Sequence, residues 1–204
     1  MTTPQDLFSG LASSIVGDCM DRLAGTHTLR PLPGTQGLIG RALTVKAAPG
    51  DNLYIHAALR QAQPGDVLVV DAAGNIERAL VGEILMSLAR AKGVLGFVVD
   101  GAARDIDAFE QAGYPCYARG ITLRGPYKNG PGAINVAVSI DGNVVQPGDI
   151  VVGDGDGVVF VPAAQAQAVA AAARAHLERE QKMLADIAAG TYDDSWLNPL
   201  LDQR

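Results

Sequence analysis

The sequence contains little of what marks a secreted or membrane protein. Only two cysteines occur in 204 residues, Cys19 and Cys116, and they lie far apart, whereas a chain of this length can bury a core without disulfide staples. No stretch approaches the roughly 18 uninterrupted apolar residues of a membrane span. The first residues also lack the basic patch and apolar segment of a signal peptide. We therefore expect a protein of the reducing cytoplasm.

Positive charge is also scarce. The 16 Lys and Arg residues are outnumbered by 22 Asp and Glu residues, which gives a formal net charge of -6. A nucleic-acid-binding surface needs clustered cations that displace counterions from phosphates, so we expect neither nucleic acid nor a membrane as a partner. Hydrophobic residues make up 48% against 19% charged residues, which indicates a folded core. Because the composition does not change along the chain, we predict one domain over residues 1–204.

Several catalytic motifs are incomplete. The glycines of residues 125–130 are not followed by the lysine of a phosphate-binding loop, and those of residues 34–40 precede a predicted strand instead of opening a helix after one. The three histidines, His27, His56 and His176, lack metal-ligand spacing. These absences disfavour nucleotide and zinc chemistry.

Apolar periodicity predicts an α/β chain. Helical spacing in the first thirty residues is seen at Leu7, Leu11, Ile15, Met20 and Leu23. Strands are predicted over residues 41–47, 67–70, 95–99, 134–140, 150–152 and 158–161, with a hairpin turn at Asp141-Gly142. Helices are predicted over residues 53–63, 79–92 and 163–189. The strand over residues 95–99 is uniformly apolar, which is typical of a strand buried on both faces.

The last of these helices is longer than a domain of this size requires. At 1.5 Å per residue it would extend on the order of 40 Å, and its alanines cover little apolar surface. We expect part of residues 163–204, the C-terminal helix and tail, to pack on a neighbouring subunit of a homo-oligomer.

Charged residues cluster at the end of the buried strand. Asp100, Arg104, Asp105 and Asp107 fall within eight residues. Grouped carboxylates repel one another unless a cation lies among them, and oxygen ligands suit Mg²⁺ or Mn²⁺, while Arg104 offers a planar fork for a substrate carboxylate. The alternative is a helix N-terminus with favourable acidic residues and an Arg–Asp surface pair. The spacing alone does not separate the two.

A glycine near a predicted helix start adds a second candidate. Gly82, within residues 79–85, lies where backbone N–H groups without partners can bind an anion. Glycines are common at such positions, so this signal alone is weak.

These features occur within an ordered set of motifs. The set consists of Asp51-Asn-Leu-Tyr-Ile-His-Ala-Ala-Leu59, Pro64-Gly-Asp-Val-Leu-Val-Val-Asp71, Gly82-Glu-Ile-Leu85, Val99-Asp-Gly-Ala-Ala-Arg-Asp105, Lys128-Asn-Gly-Pro-Gly132, Pro147-Gly-Asp149 and Asp156-Gly-Val-Val159. With them the sequence resembles the RraA-like family, which contains the class II 4-hydroxy-4-methyl-2-oxoglutarate / 4-carboxy-4-hydroxy-2-oxoadipate aldolases and the regulator of ribonuclease E activity. The resemblance covers most of the chain.

The resemblance implies a fold and an assembly. The fold is a single-domain α/β structure, a β/β/α sandwich of the swivelling-domain type with a helical N-terminus and a long C-terminal helix. The assembly is a trimer, or a hexamer of two trimers, with active sites between neighbouring subunits.

The resemblance also implies roles for individual residues. Arg104 would contact the substrate oxygens, Asp105 would ligate a divalent cation, Mg²⁺ or Mn²⁺, and Asp100 would hold water nearby. The substrate-binding residues implied are Gly82, Glu83, Ile84, Leu85 and Arg104. The backbone of the first four would hold the pyruvyl carboxylate.

Two positions leave the implied site incomplete. Ala108 stands where the family pattern places an acid three residues after Asp105, and the nearest acids are Asp107 and Glu110. The family's aldolases also take a glutamate from the C-terminal helix of the adjacent subunit, for which Glu178 or Glu180 is the candidate.

The implied activity is that of a class II lyase. It cleaves 4-hydroxy-4-methyl-2-oxoglutarate, or a related 4-hydroxy-2-oxo acid, to pyruvate and a second oxo acid, with oxaloacetate decarboxylation as a side activity through the same enolate. The alternative is a non-enzymatic, protein-binding regulator of the ribonuclease E inhibitor type, acting through its acidic surface on a basic partner. That regulator lacks the Arg-Asp pair, so Arg104-Asp105 favours the enzyme.

Overall fold

The computed structural model describes residues 2–22 and 24–202. Leu23, which the periodicity assigns to the N-terminal helix, lies outside the described residues. The helices are α1 (Pro4–Phe8), α2 (Ser13–Asp18), α3 (Leu53–Leu59), α4 (Glu83–Ala91), α5 (Ile106–Ala112), α6 (Ala166–Ala189) and α7 (Asn198–Leu201). The strands are β1 (Arg30–Pro31), β2 (Leu38–Ala47), β3 (Asp66–Asp71), β4 (Ala79–Val81), β5 (Gly96–Ala103), β6 (Cys116–Ile121), β7 (Gly132–Ile134), β8 (Val138–Ile140), β9 (Asn143–Val145), β10 (Ile150–Gly153) and β11 (Val158–Val161).

Nine of these strands form one mixed sheet within the described residues. Its order is β1-β6-β5-β3-β2-β10-β11, with β4 beside β5 and β7 beside β2. The central strands β2, β3, β5 and β6 run parallel, whereas β1, β10 and β11 pair antiparallel at the edges. Every residue of β5 is buried, as expected for a parallel strand covered on both faces.

Different layers cover the two faces of the sheet. On one face the β8–β9 hairpin packs through Val138 and Ile140 on a cluster that includes Val69 and Val98. On the other face α3, α4 and α5 pack on a cluster that includes Phe97. The result is a β/β/α sandwich with helices at both ends of the chain, which confirms the predicted α/β fold class.

The predicted helix over residues 79–92 was wrong at its start. Residues Ala79–Val81 form strand β4, which pairs with the end of β5, and the helix begins only at Glu83. Gly82 lies between them with φ −163° and ψ −170°, an extended conformation that no helix contains. The N-terminal region likewise forms two short helices, α1 and α2, instead of one long helix.

The C-terminal helix α6 leaves the body of the protein after about three turns, since Leu177 is its last residue that packs on the core. Its buried residues are Ala166, Val169, Ala170 and Ala173. Beyond them, Met183, Leu184, Ile187 and, in the tail, Trp196 are exposed. No helix in the described part of the chain has both the length and the hydropathy that a membrane span requires. The packing of this helix on a neighbouring subunit stays a prediction.

The predicted hairpin turn at Asp141-Gly142 also anchors the segment before β1. Both residues have positive φ, +50° and +85°, as two-residue hairpin turns favour. The buried carboxylate of Asp141 accepts hydrogen bonds from the N–H groups of His27 at 2.6 Å and Thr28 at 2.7 Å, and from the Thr28 hydroxyl at 2.7 Å. Arg119 Nη2 lies 3.3 Å from the same carboxylate.

These hydrogen bonds predict a pH-dependent stability. Burial opposes the ionisation of Asp141, but the hydrogen bonds from Thr28 and His27 outweigh it and lower the pKa to about 2. Because the unfolded pKa is about 3.9, the stabilisation is complete above that value and is lost as the pH falls towards 2. At pH 6 we expect Asp141→Asn to lower the free energy of unfolding by about 2 kcal/mol, a difference that shrinks between pH 4 and pH 2.

Urea unfolding at pH 6, 4 and 2.5 measures this difference. Asp156→Asn is the control, because Asp156 is exposed and the substitution should change the stability by less than about 0.5 kcal/mol. A loss in Asp141→Asn that is the same at all three pH values would contradict the assignment.

Candidate active site

A small cleft opens where β4 and β5 end and α3 and α4 begin. Its volume is about 160 Å³. Pockets for drug-sized ligands commonly measure about 300–1,000 Å³, so the cleft suits a small metabolite better than a nucleotide. It is lined by Asn52, His56, Ala79, Leu80, Val81, Gly82, Ile84, Leu85, Arg104, Asp105, Pro126 and Lys128. Five of the residues singled out in the sequence, Gly82, Ile84, Leu85, Arg104 and Asp105, are thus brought together.

The carboxylate of Asp105 packs directly on Gly82. Asp105 Oδ2 accepts a hydrogen bond from the N–H of Glu83 at 3.0 Å. A Cβ atom at Gly82 would overlap this oxygen and lie 3.1 Å from Arg104 Cγ. Glycine is therefore required for close approach and not for a special φ, since the Gly82 backbone is extended.

Asp105 has a strained backbone conformation. It precedes α5 with φ 57° and ψ 45°, in the left-handed region, and makes no side-chain cap hydrogen bond. Such a conformation costs an L residue about 1–2 kcal/mol, although Asp tolerates it better than most. Strain of this kind at a cleft indicates that the position of the Asp105 carboxylate matters more than the stability of the local backbone.

Arg104 is only weakly paired. Its Nε lies 3.6 Å from Asp105 Oδ2, and about 40% of each side chain is exposed, 39% and 41% respectively. An exposed pair of this geometry contributes little to stability. The guanidinium can therefore turn its donors to an anion in the cleft.

Asn52, which lines the cleft, has a buried polar atom without a partner among the described residues. The residue is 4% exposed, and its Nδ2 donates to the carbonyl of Leu80 at 3.0 Å. Its Oδ1 is buried and accepts no hydrogen bond from the described residues. A buried acceptor without a partner is unfavourable, and a ligand that donates a hydrogen bond would satisfy it.

The charges that line the cleft favour an acid. Arg104 and Lys128 are cationic, whereas Asp105 is the one carboxylate among the residues that line it. Burial, assisted by the charge of Lys128, lowers the pKa of His56 below its usual range of about 6.5. His56 is therefore neutral at pH 7, and the lining carries an excess of one positive charge.

One wall of the cleft is a loop, residues 124–130, that long-range hydrogen bonds hold in place. Buried Asp51 accepts from the N–H groups of Asn129 and Gly130. The backbone of Tyr127 exchanges hydrogen bonds with the segment before α3, as donor to Gly50 and as acceptor from Asn52. Hydrogen bonds from Asn129, Leu53 and Gly130, with the charge of Lys128, outweigh burial and lower the pKa of Asp51.

Asp100 does not lie in the cleft, which corrects the expectation that it would hold water beside Asp105. Side chains alternate along β5, so Asp100 lies on the hairpin side of the sheet with Val98. There Arg119 Nε donates to one carboxylate oxygen of Asp100, and the N–H of Asp141 donates to the other at 3.1 Å. Asp100 thus ties the β8–β9 hairpin to the sheet.

Ala108 stands where the family pattern has an acid. The acids near it lie outside the cleft, on the outer side of Asp105. Glu83, Asp107 and Ala108 line a shallow depression that shares only Asp105 with the cleft. Within one chain, Glu83 contacts Asp105 through the hydrogen bond that its backbone N–H donates.

The sequence did not predict Asn52 and His56 as lining residues. Asp51-Asn52 has the pattern of a helix cap, and Asn52 is indeed the N-cap of α3, but its side chain makes no cap hydrogen bond. The signal that could have found both is their position inside the motif 51–59.

Comparisons with known proteins agree with this geometry. The family model described as RraA-like, Aldolase/RraA, matches residues 13–160. A protein of Halalkalibacterium halodurans, named as a candidate 4-hydroxy-4-methyl-2-oxoglutarate aldolase, is 42% identical over 156 residues, which cover 76% of this chain and 74% of that protein.

Solved structures show the same fold. An uncharacterized protein from Pseudomonas syringae pv. tomato superposes with a TM-score of 0.83 at 30% identity, covering 93% of this chain and 92% of its own. The RNA-processing inhibitor RraA from Thermus thermophilus superposes with a TM-score of 0.68 at 28% identity, covering 74% and 92%.

The strain at Asp105 predicts an unusual order of stability. Asp105→Gly and Asp105→Ala lose the same carboxylate, but only alanine keeps a Cβ in the left-handed conformation. We expect the glycine variant to be more stable by about 1 kcal/mol, measured by urea unfolding. The matched pair Asp107→Gly and Asp107→Ala, inside helix α5, should show the reverse order. The same order at both positions would contradict strain at Asp105.

The close packing at Gly82 predicts a coupled pair of substitutions. Gly82→Ala should lower the free energy of unfolding by about 1–3 kcal/mol, because the added methyl displaces Asp105. In the double variant Gly82→Ala/Asp105→Ala the overlap is relieved, so the loss should be smaller than the sum of the single losses by about 1 kcal/mol. Gly155→Ala, with open space around it, is the control. If the losses in the free energy of unfolding at Gly82 and Asp105 are additive, the two residues are not in the close contact described.

Proposed function

Because this chain belongs to the RraA-like family, we propose that it is a divalent-metal-dependent lyase. It cleaves 4-hydroxy-4-methyl-2-oxoglutarate, or a related 4-hydroxy-2-oxo acid, to pyruvate and a second oxo acid. The observation that carries the proposal is the cleft itself, in which Arg104, Asp105 and the start of α4 meet around room for a small acid. The name of the relative from Halalkalibacterium halodurans supports the same reaction.

The side chains present suit Mg²⁺ or Mn²⁺. The described residues contain no group of three or more His, Cys, Asp or Glu side chains placed to hold an ion, which disfavours an all-protein cage. Mg²⁺ is commonly held by one or two carboxylates and keeps several waters. Asp105 fits this role, because Oδ2 is fixed by the Glu83 N–H while Oδ1 faces no donor among the described residues. When bound, the cation would stabilise negative charge on the 2-oxo oxygen as the C3–C4 bond breaks.

The residues of the chain would hold the pyruvyl half of the substrate. The N–H groups of Ile84 and Leu85 lie in the first turn of α4, where they have no partner within the helix, and both residues line the cleft. They would donate to the substrate carboxylate at the positive end of the helix dipole. Arg104 would donate to the oxygen on which charge develops, and Asn52 Oδ1 would accept from the substrate hydroxyl.

The same site would decarboxylate oxaloacetate. That reaction also leaves a pyruvate enolate, so the groups that stabilise the charge in cleavage would stabilise it there. We propose this as a side activity.

The active enzyme would be a homotrimer, or a homohexamer of two trimers. Ile84, at the mouth of the cleft, is 76% exposed, and the apolar side chains Met183, Leu184 and Ile187 of distal α6 are exposed as well. A neighbouring subunit would cover such surfaces. It would also supply Glu178 or Glu180, of which Glu180 bonds His176 Nε2 at 3.1 Å in this chain.

A protein-binding regulator is the second candidate function. The observation in its favour is the structural likeness to the Thermus thermophilus protein named as an RNA-processing inhibitor, together with the net charge of -6. A regulator, however, does not need the strained Asp105 or the small acid-binding cleft.

Pyruvate release tests the proposed reaction. With Mg²⁺ we expect the protein to release pyruvate from 4-hydroxy-4-methyl-2-oxoglutarate and from oxaloacetate, and EDTA to stop both reactions. Asp105→Ala should abolish turnover, and Arg104→Ala should lower kcat/KM at least about 100-fold, as loss of one charge-stabilising donor does. Glu77→Ala, at an exposed carboxylate outside the cleft, is the matched control and should stay active.

Two outcomes would reject the proposal. One is near-normal activity in Asp105→Ala or Arg104→Ala. The other is the absence of pyruvate from both compounds in the presence of Mg²⁺ and Mn²⁺, after which capture of a basic protein partner would favour the regulator.

A further inference from the structure

Arg78 makes contacts outside the cleft that the proposed reaction does not explain. It stands directly before β4, whose residues Ala79–Val81 line the cleft, but its own side chain is not part of that lining. Among the described residues it forms no ion pair with a carboxylate. Its guanidinium is bound instead by the loop that forms one wall of the cleft, residues 124–130.

The guanidinium of Arg78 binds two residues of this loop at once. Nη1 donates to the carbonyl of Gly125 at 2.8 Å, and Nη2 donates to the hydroxyl of Tyr127 at 2.7 Å. The guanidinium carbon also lies 4.0 Å from the centroid of the Tyr127 ring, within the range of a cation–π contact. The planar fork of an arginine presents these donors in a fixed geometry, so the two loop residues are held relative to each other.

The stem of Arg78 is held as well. A Cβ at Gly50 would lie 3.1 Å from Cδ and 3.4 Å from Cβ of Arg78, so the stem packs on this glycine. The carbonyl of Gly50 in turn accepts a hydrogen bond from the N–H of Tyr127 at 2.9 Å. Arg78 therefore contacts both the segment before α3 and the loop, which fixes its guanidinium beside the loop.

Gly125 connects Arg78 with Arg104. A Cβ at Gly125 would lie 3.2 Å from Arg104 Nη1, so the backbone of Gly125 packs on the guanidinium that lines the cleft. Arg78 binds the carbonyl of the same glycine, and the carbonyl of Arg124 accepts from the N–H of Ala79 at 2.9 Å. Two successive carbonyls of the loop are thus bound by two successive residues. The position of the Gly125 backbone against Arg104 depends on these bonds.

Arg104 has few other contacts that fix its orientation. Its Nε lies 3.6 Å from Asp105 Oδ2, and 39% of its side chain is exposed. A long side chain loses rotamer freedom when it takes up a single orientation. The backbone of Gly125 removes some of that freedom before substrate binds, and catalysis gains from groups that are already in place.

We propose that Arg78 is a positioning residue, which holds Gly125 against Arg104 and so keeps the Arg104 guanidinium turned to the substrate oxygen. This inference rests on the proposed lyase function. Arg78 itself touches no substrate. Its loss should loosen the loop and lower kcat, because Arg104 would then spend a smaller fraction of the time in the productive orientation.

Limited proteolysis tests without any substrate whether Arg78 holds the loop. Trypsin cleaves after Arg and Lys, and the loop contains exposed Arg124 and Lys128. Arg78→Met keeps the stem and loses both hydrogen bonds. We expect cleavage after the two loop residues to become about 10-fold faster, the effect of losing a hydrogen bond from a charged group, because cleavage follows the population of the open form. Arg90→Met, at an exposed residue of α4 that does not line the cleft, is the control and should leave the rate unchanged.

A second experiment tests whether Arg78 acts through Arg104. With Mg²⁺ and 4-hydroxy-4-methyl-2-oxoglutarate, Arg78→Met should lower kcat and kcat/KM equally, by about 10-fold, as loss of an interaction made only in the transition state does. In the Arg104→Ala background the same substitution should lower kcat by less than about two-fold, because the residue that it positions is gone. A direct effect of the Arg78 charge, or a general loss of folded protein, would lower kcat by the same factor in both backgrounds.

Tyr127→Phe is a milder variant with the same two readouts. It removes only the hydroxyl that binds Arg78 Nη2, so cleavage of the loop should rise and kcat should fall by about three-fold each. This variant decides the question if Arg78→Met does not fold. Cleavage rates equal to those of the wild type, or equal losses of kcat with and without Arg104, would overturn the proposal.

Failure of the lyase function would be recognised separately. If the wild-type protein releases no pyruvate, the function is rejected, and tryptic cleavage alone decides whether Arg78 holds the loop. Faster cleavage in Arg78→Met but not in Arg90→Met would then uphold its role in fixing the wall of the cleft. Unchanged cleavage would overturn that role as well.

Discussion

The cleft depends on the contact between Asp105 and Gly82. Asp105 Oδ2 accepts a hydrogen bond from the N–H of Glu83, the first residue of α4. The same oxygen occupies the place that the Cβ of any other residue at position 82 would need. The contact joins the end of β5 to the start of α4, and so fixes Arg104 next to the first turn of that helix. Without it, the free N–H groups of Ile84 and Leu85 and the guanidinium of Arg104 would have no common orientation.

Two groups around this contact are unfavourable in the free protein. Asp105 is held in a left-handed conformation, and Asn52 buries an acceptor that has no partner among the described residues. Contacts with a bound ligand would offset such costs. Natural sequences depart from local rules at functional sites in this way, because a site prepared for a ligand cannot also be fully satisfied without one.

Much of the sheet could be predicted from the sequence because burial on both faces leaves a direct signal. The uniformly apolar runs of β3 and β5 mark central parallel strands, and Asp141-Gly142 marks a hairpin turn. The break at Gly82 was missed because three apolar residues in Ala79–Val81 fit a helix as well as a strand, and only pairing with β5 decides between them.

The site was predictable in part. Arg104 and Asp105 follow the end of β5, and residues 82–85 form the start of α4. The two groups are close in space because these ends are adjacent, and the motifs 82–85 and 99–105 mark both. Asp100 was assigned to the cleft wrongly, because side chains alternate along β5 and Asp100 lies on the opposite face of the sheet. There it accepts a hydrogen bond from Arg119. Lys128 could not be placed, since its loop is fixed by Asp51 through hydrogen bonds that span 78 and 79 residues. Contacts of that range have no local signature.

The departure of α6 from the body has a consequence for its dynamics. After Leu177, which still packs on the core, the helix continues for twelve residues, about 18 Å at 1.5 Å per residue, most of them exposed. An isolated helix of that length is only marginally stable in water, so its amides open with far less free energy than those of the sheet. We therefore expect the helix content of the protein to rise when this segment packs on another surface.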